Sequence, residues 1–500
     1  MSFNFSKSDF ESELEKSSGT VLFKKISSDT ITPVLSSLKI FEHFDNHHFL
    51  FESAENGNNK GRFSVLGFMP DLAWKCTGNE SFINNDFHDN KDSFQPEKGN
   101  ALENLRQLNT RSHIHWDNLY YGSTKLPSIC SGIFGYMGYD IVKLVEEIPN
   151  RDLEDEINIP DAIFIRPQLI IVFDSLFDCT LICAPVFADS KDTSYESAVE
   201  KISMAEELLH SPYIKPKIEA DTDFNFTSNC SEEDYSNMVE KAKAYITDGD
   251  IFQVLPSQRL TSKFDKNLPP FSFYRSLRSI NPSPFLFYLK IDDFVLTGSS
   301  PEIMVSLKDD TVTIRPLAGT RKRGKNPEED AQNAVDLLKD EKEIAEHLML
   351  IDLGRHDVGK VSKPGTVKVT EKMVIEYYSH VMHISSNVEG TIRDDLDALD
   401  ALTTGLPAGT VSGAPKIRAM EVIEELENVK RSFYAGCVGY FASNGDMETC
   451  ITLRSALIKD EKIYLQAGAG VVFDSDPKSE HQECLNKAQA LITACNNIKL

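Results

Sequence analysis

Strand-like and helix-like segments come in blocks along this chain, not in alternation, and that order restricts what it can fold into. Strict strand–helix alternation builds parallel sheets, whereas blocks build antiparallel sheets in an α+β fold. In the first half, LFES (50–53) and GRFSVLGF (61–68) are short apolar runs bounded by turn residues, and SGIFGYMGYD (131–140) is interleaved with glycine. Residues 163–187 predict a hairpin of two buried strands around Asp174–Asp178. The Asn-, Asp- and Ser-rich stretch 76–100 predicts a loop, and 194–210 has the apolar spacing of an amphipathic helix. Residues 211–230 lack periodicity and carry two prolines, which predicts a linker between an N-terminal region, 1–215, and an intertwined second region, 216–500.

The second half is denser in signals. Ser231 opens a helix with acids in its first turn and Gly249 closes it. A strand at 251–260 follows, then short strands from 284 to 316 and a long helix over about 328–350. Further strands are expected near 379–389, 435–443, 448–457 and 462–472, and helices near 394–404, 413–427 and 477–495.

Charge and composition exclude some functions. A formal net charge of -25 disfavours nucleic acid, which needs a basic face. No apolar run approaches the roughly 18 residues of a membrane span. The acidic N-terminus, MSFNFSKSDFESELEKS, is expected to be neither a secretory nor a transit signal. The 9 cysteines include no Cys-x-x-Cys pair, so free thiols in the cytoplasm are expected rather than zinc ligands.

Three kinds of local pattern carry chemistry. Glu343 and Glu346 share a helix face, as do Glu480 and Glu483 with Lys487 one turn on. Two such helices would supply oxygen ligands to a hard divalent cation, although solvated helix faces have the same spacing. Glycine corners occur at QAGAG (466–470), at Gly409, Thr410 and Gly413 ahead of Pro415, and at AGTRKRG (318–324). Such corners let a ligand approach backbone amides. Arg454 stands in the apolar strand TCITLRSAL, where a cation is costly unless paired, so an anionic small molecule is expected. Glu302 in SSPEI reads either as a general acid or as a turn carboxylate. His383, a lone strand histidine, is more often structural than catalytic.

Taken in order, GDIFQVLPSQRL, NPSPFLFYL, GSSPEI, RPLAGTRKRG, EIAEHLMLIDLGRHDVGKV, LPAGTVSGAPKIRAMEVIEELE, GYFASNGDMETCITLRSAL and QAGAGVVFDSDPKSEHQECLNKAQAL resemble the signature blocks of the chorismate-binding enzymes. The likeness is dense over about 230–495 and reaches the first half through LFES and GRFSVLG. It implies a fold of two antiparallel β-sheets forming a sandwich flanked by helices. It further implies magnesium ligands at Glu346 and Glu483, with Glu343 and Glu480 as neighbours. Chorismate contacts would come from Arg454, Tyr434, Lys487, Thr410, the Gly319–Thr320 corner and the backbone of Gly468, Ala469 and Gly470. Glu302 would be the acid at the departing hydroxyl, and His383 would lie beside the ring.

Two positions separate the branches of the family. Isochorismate and salicylate synthases carry a water-activating lysine where this chain has Gln253. Many aminodeoxychorismate synthases carry a nucleophilic lysine where it has Ala318. The resemblance is therefore to the aminating branch that forms anthranilate from chorismate and ammonia. Ammonia would come from a separate glutamine amidotransferase subunit, since no glutaminase module is recognisable here. Tryptophan would inhibit at Glu52, Ser53, Asn281, Pro282, Ser283, Pro284, Phe285 and Leu286, with Glu52 facing its ammonium. The departures are LFES for the commoner LLES, His356 for Asn, and Leu286 for Met. The alternatives are an aminodeoxychorismate synthase lacking the lysine, and a non-catalytic metabolite-binding regulator.

Overall fold

The computed structural model describes residues 3–44, 47–53, 61–149, 151–378 and 381–498. It is α+β, and its large sheet pairs strands antiparallel throughout. The two longest strands, Phe63–Thr77 and Ala162–Asp174, pair along most of their length. Hydrogen bonding leaves them in two directions. One limb runs through His48–Glu52, Phe285–Ile291, Phe294–Ser300, Ser455–Lys459, Lys462–Gly468 and Ser257–Lys263. The other runs through Gly132–Met137, Cys437–Ala442, Met447–Ile451, Ile303–Lys308 and Thr311–Ile314 to Val381–Thr391.

The expected separation into two sheets is therefore not seen: the described residues form one hydrogen-bonded sheet of 21 strands. The cause is the length of Ala162–Asp174. Its 13 residues let one edge serve Gly132–Met137 with its first half and Cys179–Phe187 with its second. The limbs nevertheless pack on each other through aromatic side chains. Phe49 stacks on Phe134 at 4.5 Å between ring centroids, and Tyr136 meets Phe294 edge-on at 5.8 Å. Such pairs add to the stabilisation from burying these rings.

The predicted hairpin at 163–187 forms as Ala162–Asp174 and Cys179–Phe187. The expected long helix at 328–350 is two helices, Pro327–Leu337 and Glu341–Val361. Asp340 breaks it, because its side chain accepts from the amides of Lys342 and Glu343 and starts a new N-terminus. The helix expected from 413 begins only at Lys416, since Gly413 and Ala414 pair as a strand with Val254 and Gln253. Gly413 has φ +140, and a Cβ there would fall 2.1 Å from the Gln253 carbonyl oxygen, so only glycine permits that pairing. The loop expected at 76–100 contains the strand Glu80–Asn84, folded back on the 63–77 strand. Residues 379 and 380, where a strand was expected to start, lie outside the described residues, and the strand runs from Val381 to Thr391.

Among the described residues no helix is long and apolar enough to cross a membrane.

Candidate active site

The chain steps between the limbs at two places that bond to each other. Pro301 and Glu302 connect Phe294–Ser300 in one limb to Ile303–Lys308 in the other. Thr452–Arg454 connect Met447–Ile451 to Ser455–Lys459. The Ser299 amide donates to the Arg454 carbonyl at 3.1 Å, and the Ile451 amide to the Glu302 carbonyl at 3.0 Å. Sheet topology thus brings together a glutamate and an arginine 152 positions apart in sequence (454 − 302).

Glu302 is buried, and burial pushes its carboxyl up to about 8. The Thr410 hydroxyl and the Leu317 amide, which donates at 3.4 Å, pull it back only in part. Thr410 faces the carboxyl outside standard hydrogen-bond geometry, so its Oγ1 is buried without a full partner. Near neutral pH Glu302 therefore carries a proton that it can give up.

Arg454 is the opposite case. Burial pulls its guanidinium below the ordinary arginine value, and among the described residues no carboxylate pairs with it. The fully buried arginines Arg431 and Arg166 are paired, with Glu427 at 2.6 Å and with Asp71 at 2.7 Å. Arg454 also has φ 50, a strained backbone for a residue with a side chain. A half-buried, unpaired cation on strained backbone is suited to receive an anion.

His383 is buried, and desolvation, assisted by the Arg454 charge, lowers it to about 4. Its Nδ1 lies 3.1 Å from the Gly319 carbonyl oxygen and 3.0 Å from Thr320 Oγ1. A carbonyl only accepts, so Nδ1 carries the proton and Nε2 keeps a free lone pair. Gly319 has φ +69, and a Cβ there would come within 3.2 Å of Glu343, so the corner ties His383 to the first acidic helix.

Gln253 donates to Glu346 at 3.0 Å and fills the space where a side chain on Gly470 would stand. Lys487 spans Glu483 at 3.0 Å and the Gly468 carbonyl at 3.2 Å. The amides expected to face a ligand are partly committed. Tyr434 takes Gly468, and Ala469 donates to the Tyr235 hydroxyl at 3.2 Å.

The four helix carboxylates do not meet at one point. Among the described residues no three His, Cys, Asp or Glu side chains form a metal cluster. Glu343 is held by Arg321 at 3.4 Å, Glu346 by Gln253 and Glu483 by Lys487. Burial raises Glu343, and then the Glu346 charge does so; burial likewise raises Glu480, and the Glu483 charge adds to it. Within each helix the two oxygen donors repel each other, a chemistry that suits a hard divalent cation.

The segments expected to bind tryptophan fare differently. Glu52, Ser53, Pro284, Phe285 and Leu286 line a cavity of about 990 Å³, whereas Asn281, Pro282 and Ser283 do not. Asn281 instead holds the Ser299 hydroxyl, and Ser283 is buried. Glu52 has no free charge for an ammonium: Arg278 grips it at 2.7 and 3.0 Å, and Tyr274 donates to it at 2.5 Å. Among the described residues the cavity wall has three carboxylates without an ion-pair partner, Asp309, Asp446 and Glu448; Glu448 is raised by burial and accepts from the Tyr440 hydroxyl at 3.4 Å. Glu448 lies in the block GYFASNGDMETCITLRSAL, but it is the pairing of Cys437–Ala442 with Met447–Ile451 that brings it to the wall.

A family model for chorismate binding enzymes matches residues 47–493, and the chain belongs to that family. It is 48% identical to anthranilate synthase component 1 of Cereibacter sphaeroides, over 98% of this chain and 97% of the relative. The crystal structure of anthranilate synthase component I from Streptococcus pneumoniae superposes with a TM-score of 0.77 at 35% identity, covering 94% of this chain and 99% of that one. Within the family, the chain belongs with the component 1 proteins of anthranilate synthase. The menaquinone-specific isochorismate synthase of Escherichia coli, 19% identical with a TM-score of 0.70 over 98% of this chain and 99% of its own, shares the fold.

Proposed function

We propose that the chain works in the cytoplasm as a lyase that converts chorismate and ammonia to anthranilate and pyruvate. In this reading it is the first component of an anthranilate synthase, with ammonia from a glutamine amidotransferase partner. The observation that carries the reading is the half-buried Arg454, without a carboxylate partner among the described residues, on the crossover bonded to that of the protonated Glu302.

Arg454 takes a substrate carboxylate, with Tyr434 and Lys487 around it. Ammonia forms a bond to ring carbon C2 as the C4–oxygen bond breaks. Hydroxide is a poor leaving group, so Glu302 gives it a proton and it departs as water. Neutral His383 presents Nε2 beside the ring for the second stage, loss of pyruvate and aromatisation. Glu346 and Glu483, with Glu343 and Glu480 beside them, would hold magnesium, which supplies charge compensation for the other carboxylate. Ala318, at the 318–320 corner, offers no amine, so attack is direct and no covalent ring adduct forms there.

Incubation with chorismate, magnesium and ammonium should give anthranilate fluorescence. A 4-aminobenzoate precursor in its place would assign the chain to the sister activity. Magnesium dependence has its own test. Glu346→Gln and Glu483→Gln should fold normally and lose activity, as EDTA-treated wild type does. Wild-type rates from both variants in EDTA would remove the metal assignment.

Tryptophan is proposed to bind in the 990 Å³ cavity at the Ser53–Pro284 corner, with Glu448 nearer its ammonium than Glu52. Inhibition requires different tryptophan affinities for two states, with a coupling of about 1–3 kcal/mol. Ser53→Phe should fill the corner and relieve inhibition without lowering uninhibited turnover. No tryptophan binding by calorimetry at millimolar ligand would sink this reading alone.

A further inference from the structure

Glu302 owes its raised affinity for a proton chiefly to the absence of water, yet a large polar cavity lies next to it. The cavity wall includes Pro301 and Ile303, on either side of Glu302 in sequence, and Leu317, whose amide bonds its carboxyl. At about 990 Å³, with Arg315, Glu376 and Glu448 in its walls, it has room and partners for many waters. Some group must close the wall between them.

Tyr378 is placed to do so. It lines the cavity together with Leu317 and Pro301, and its ring meets the buried His383 edge-on, with centroids 5.4 Å apart. Its hydroxyl donates to Glu376 at 2.8 Å, and the other oxygen of Glu376 lies 2.6 Å from Arg315. Arg315 is fixed in turn by Ser385 at 2.9 Å and Glu371 at 3.1 Å. The Tyr378 backbone is pinned as well: its amide donates to Val381 and its carbonyl accepts from Arg323, which is locked onto Asp330. A surface tyrosine needs no such frame. The Glu302 charge acts on the Tyr378 phenol, and the phenol acts in turn on Arg454, so this cavity-wall residue is an electrostatic neighbour of both.

We propose that Tyr378 is a positioning residue and partition for the reaction: its ring, clamped by Glu376, seats His383 and keeps cavity water away from Glu302. The inference rests on the reaction proposed above. The polar groups facing Glu302 are the Thr410 hydroxyl, the Leu317 amide and the Tyr378 phenol, and among the described residues no cation pairs with the carboxyl. Opening the wall therefore acts on Glu302 by hydration and not by exposing a new charge. A hydrated carboxyl returns toward its ordinary value, so the protonated acid is lost at lower pH.

The experiment follows Glu302 in two ways in the full chain: the pH profile of kcat with chorismate, magnesium and ammonium, and an infrared titration of its carboxyl, identified by the band that Glu302→Gln removes. Tyr378→Ala is expected to move both midpoints down by about one pH unit or more, a tenfold or larger change in the protonated-to-ionised ratio. Tyr378→Phe, which keeps the ring and loses only the clamp, should restore most of the displacement and guards against misfolding of the alanine variant. A folded Tyr378→Ala protein with wild-type midpoints overturns the proposal. Absence of anthranilate from the wild type would remove the functional reading instead. The infrared arm needs no turnover and decides the partition by itself.

Discussion

Replacing Glu302 with glutamine is expected to lower turnover on the order of 100-fold or more, the usual contribution of a positioned general acid. Chorismate should still bind, because the variant keeps the size of the side chain and leaves Arg454 untouched. The wild-type rate should fall as pH rises through about 8, where the buried carboxyl ionises. The sign follows from burial: desolvation disfavours the charged form, raises the folded pKa, and keeps the acid protonated where an exposed glutamate has ionised. The same group contributes to pH-dependent stability. Between its ordinary value of 4.5 and about 8 the folded chain holds a proton that the unfolded chain does not, so that contribution is full below 4.5 and is lost as pH rises. Glu302→Gln has no proton to lose. Its stability should lack that slope, which denaturant titrations at pH 6 and pH 9 on both proteins would read. Normal turnover in the variant would make Glu302 a structural turn residue.

Much of this site is written in local sequence. Glu302, Gln253, Thr410 and His383 each sit in a short block whose turn or strand is set by near neighbours, so their positions are legible without the fold. The partners that decide their chemistry are not. Glu52 lies in a readable strand, but its charge is taken by Arg278, 226 positions away (278 − 52), on a helix that the sequence reading did not mark. Glu448 reaches its wall through strand pairing, and Tyr378 reaches its own from just past the end of the Lys368–Tyr377 strand, so neither role is visible in the local sequence. The α+β class followed from the order of segments. The single continuous sheet did not, because it depends on how far one long strand runs past its neighbours. The break between the two helices at 337–341 falls in the charged run Lys339–Glu343, which has no apolar residue to mark a change of phase, and the capping side chain of Asp340 starts the second helix.

Arg454→Met is expected to make the protein more stable and less able to bind its substrate. The wild-type guanidinium is half-buried and has no carboxylate partner among the described residues, so the folded state bears part of the cost of desolvating a charge that no carboxylate compensates. Methionine has a long flexible side chain with no charge to desolvate, so the substitution relieves that cost while filling much of the same space. It leaves the left-handed φ of 50 in place, which limits the gain. A rise of about 1 kcal/mol would be a typical benefit from removing an unsatisfied polar group. The substrate side has the opposite sign. A carboxylate entering the pocket of the variant leaves water and meets no cation, and losing one partner of a buried pair costs about 3–5 kcal/mol, a fall in affinity of roughly 100-fold or more. Thermal unfolding of the free chain and calorimetry with chorismate would measure the two effects separately. If the variant were destabilised in the free state and bound chorismate as well as wild type, Arg454 would be a structural residue whose charge is met by solvent. The unpaired cation would then lose its meaning as an anion receptor, and the proposed reaction would lose the observation that carries it.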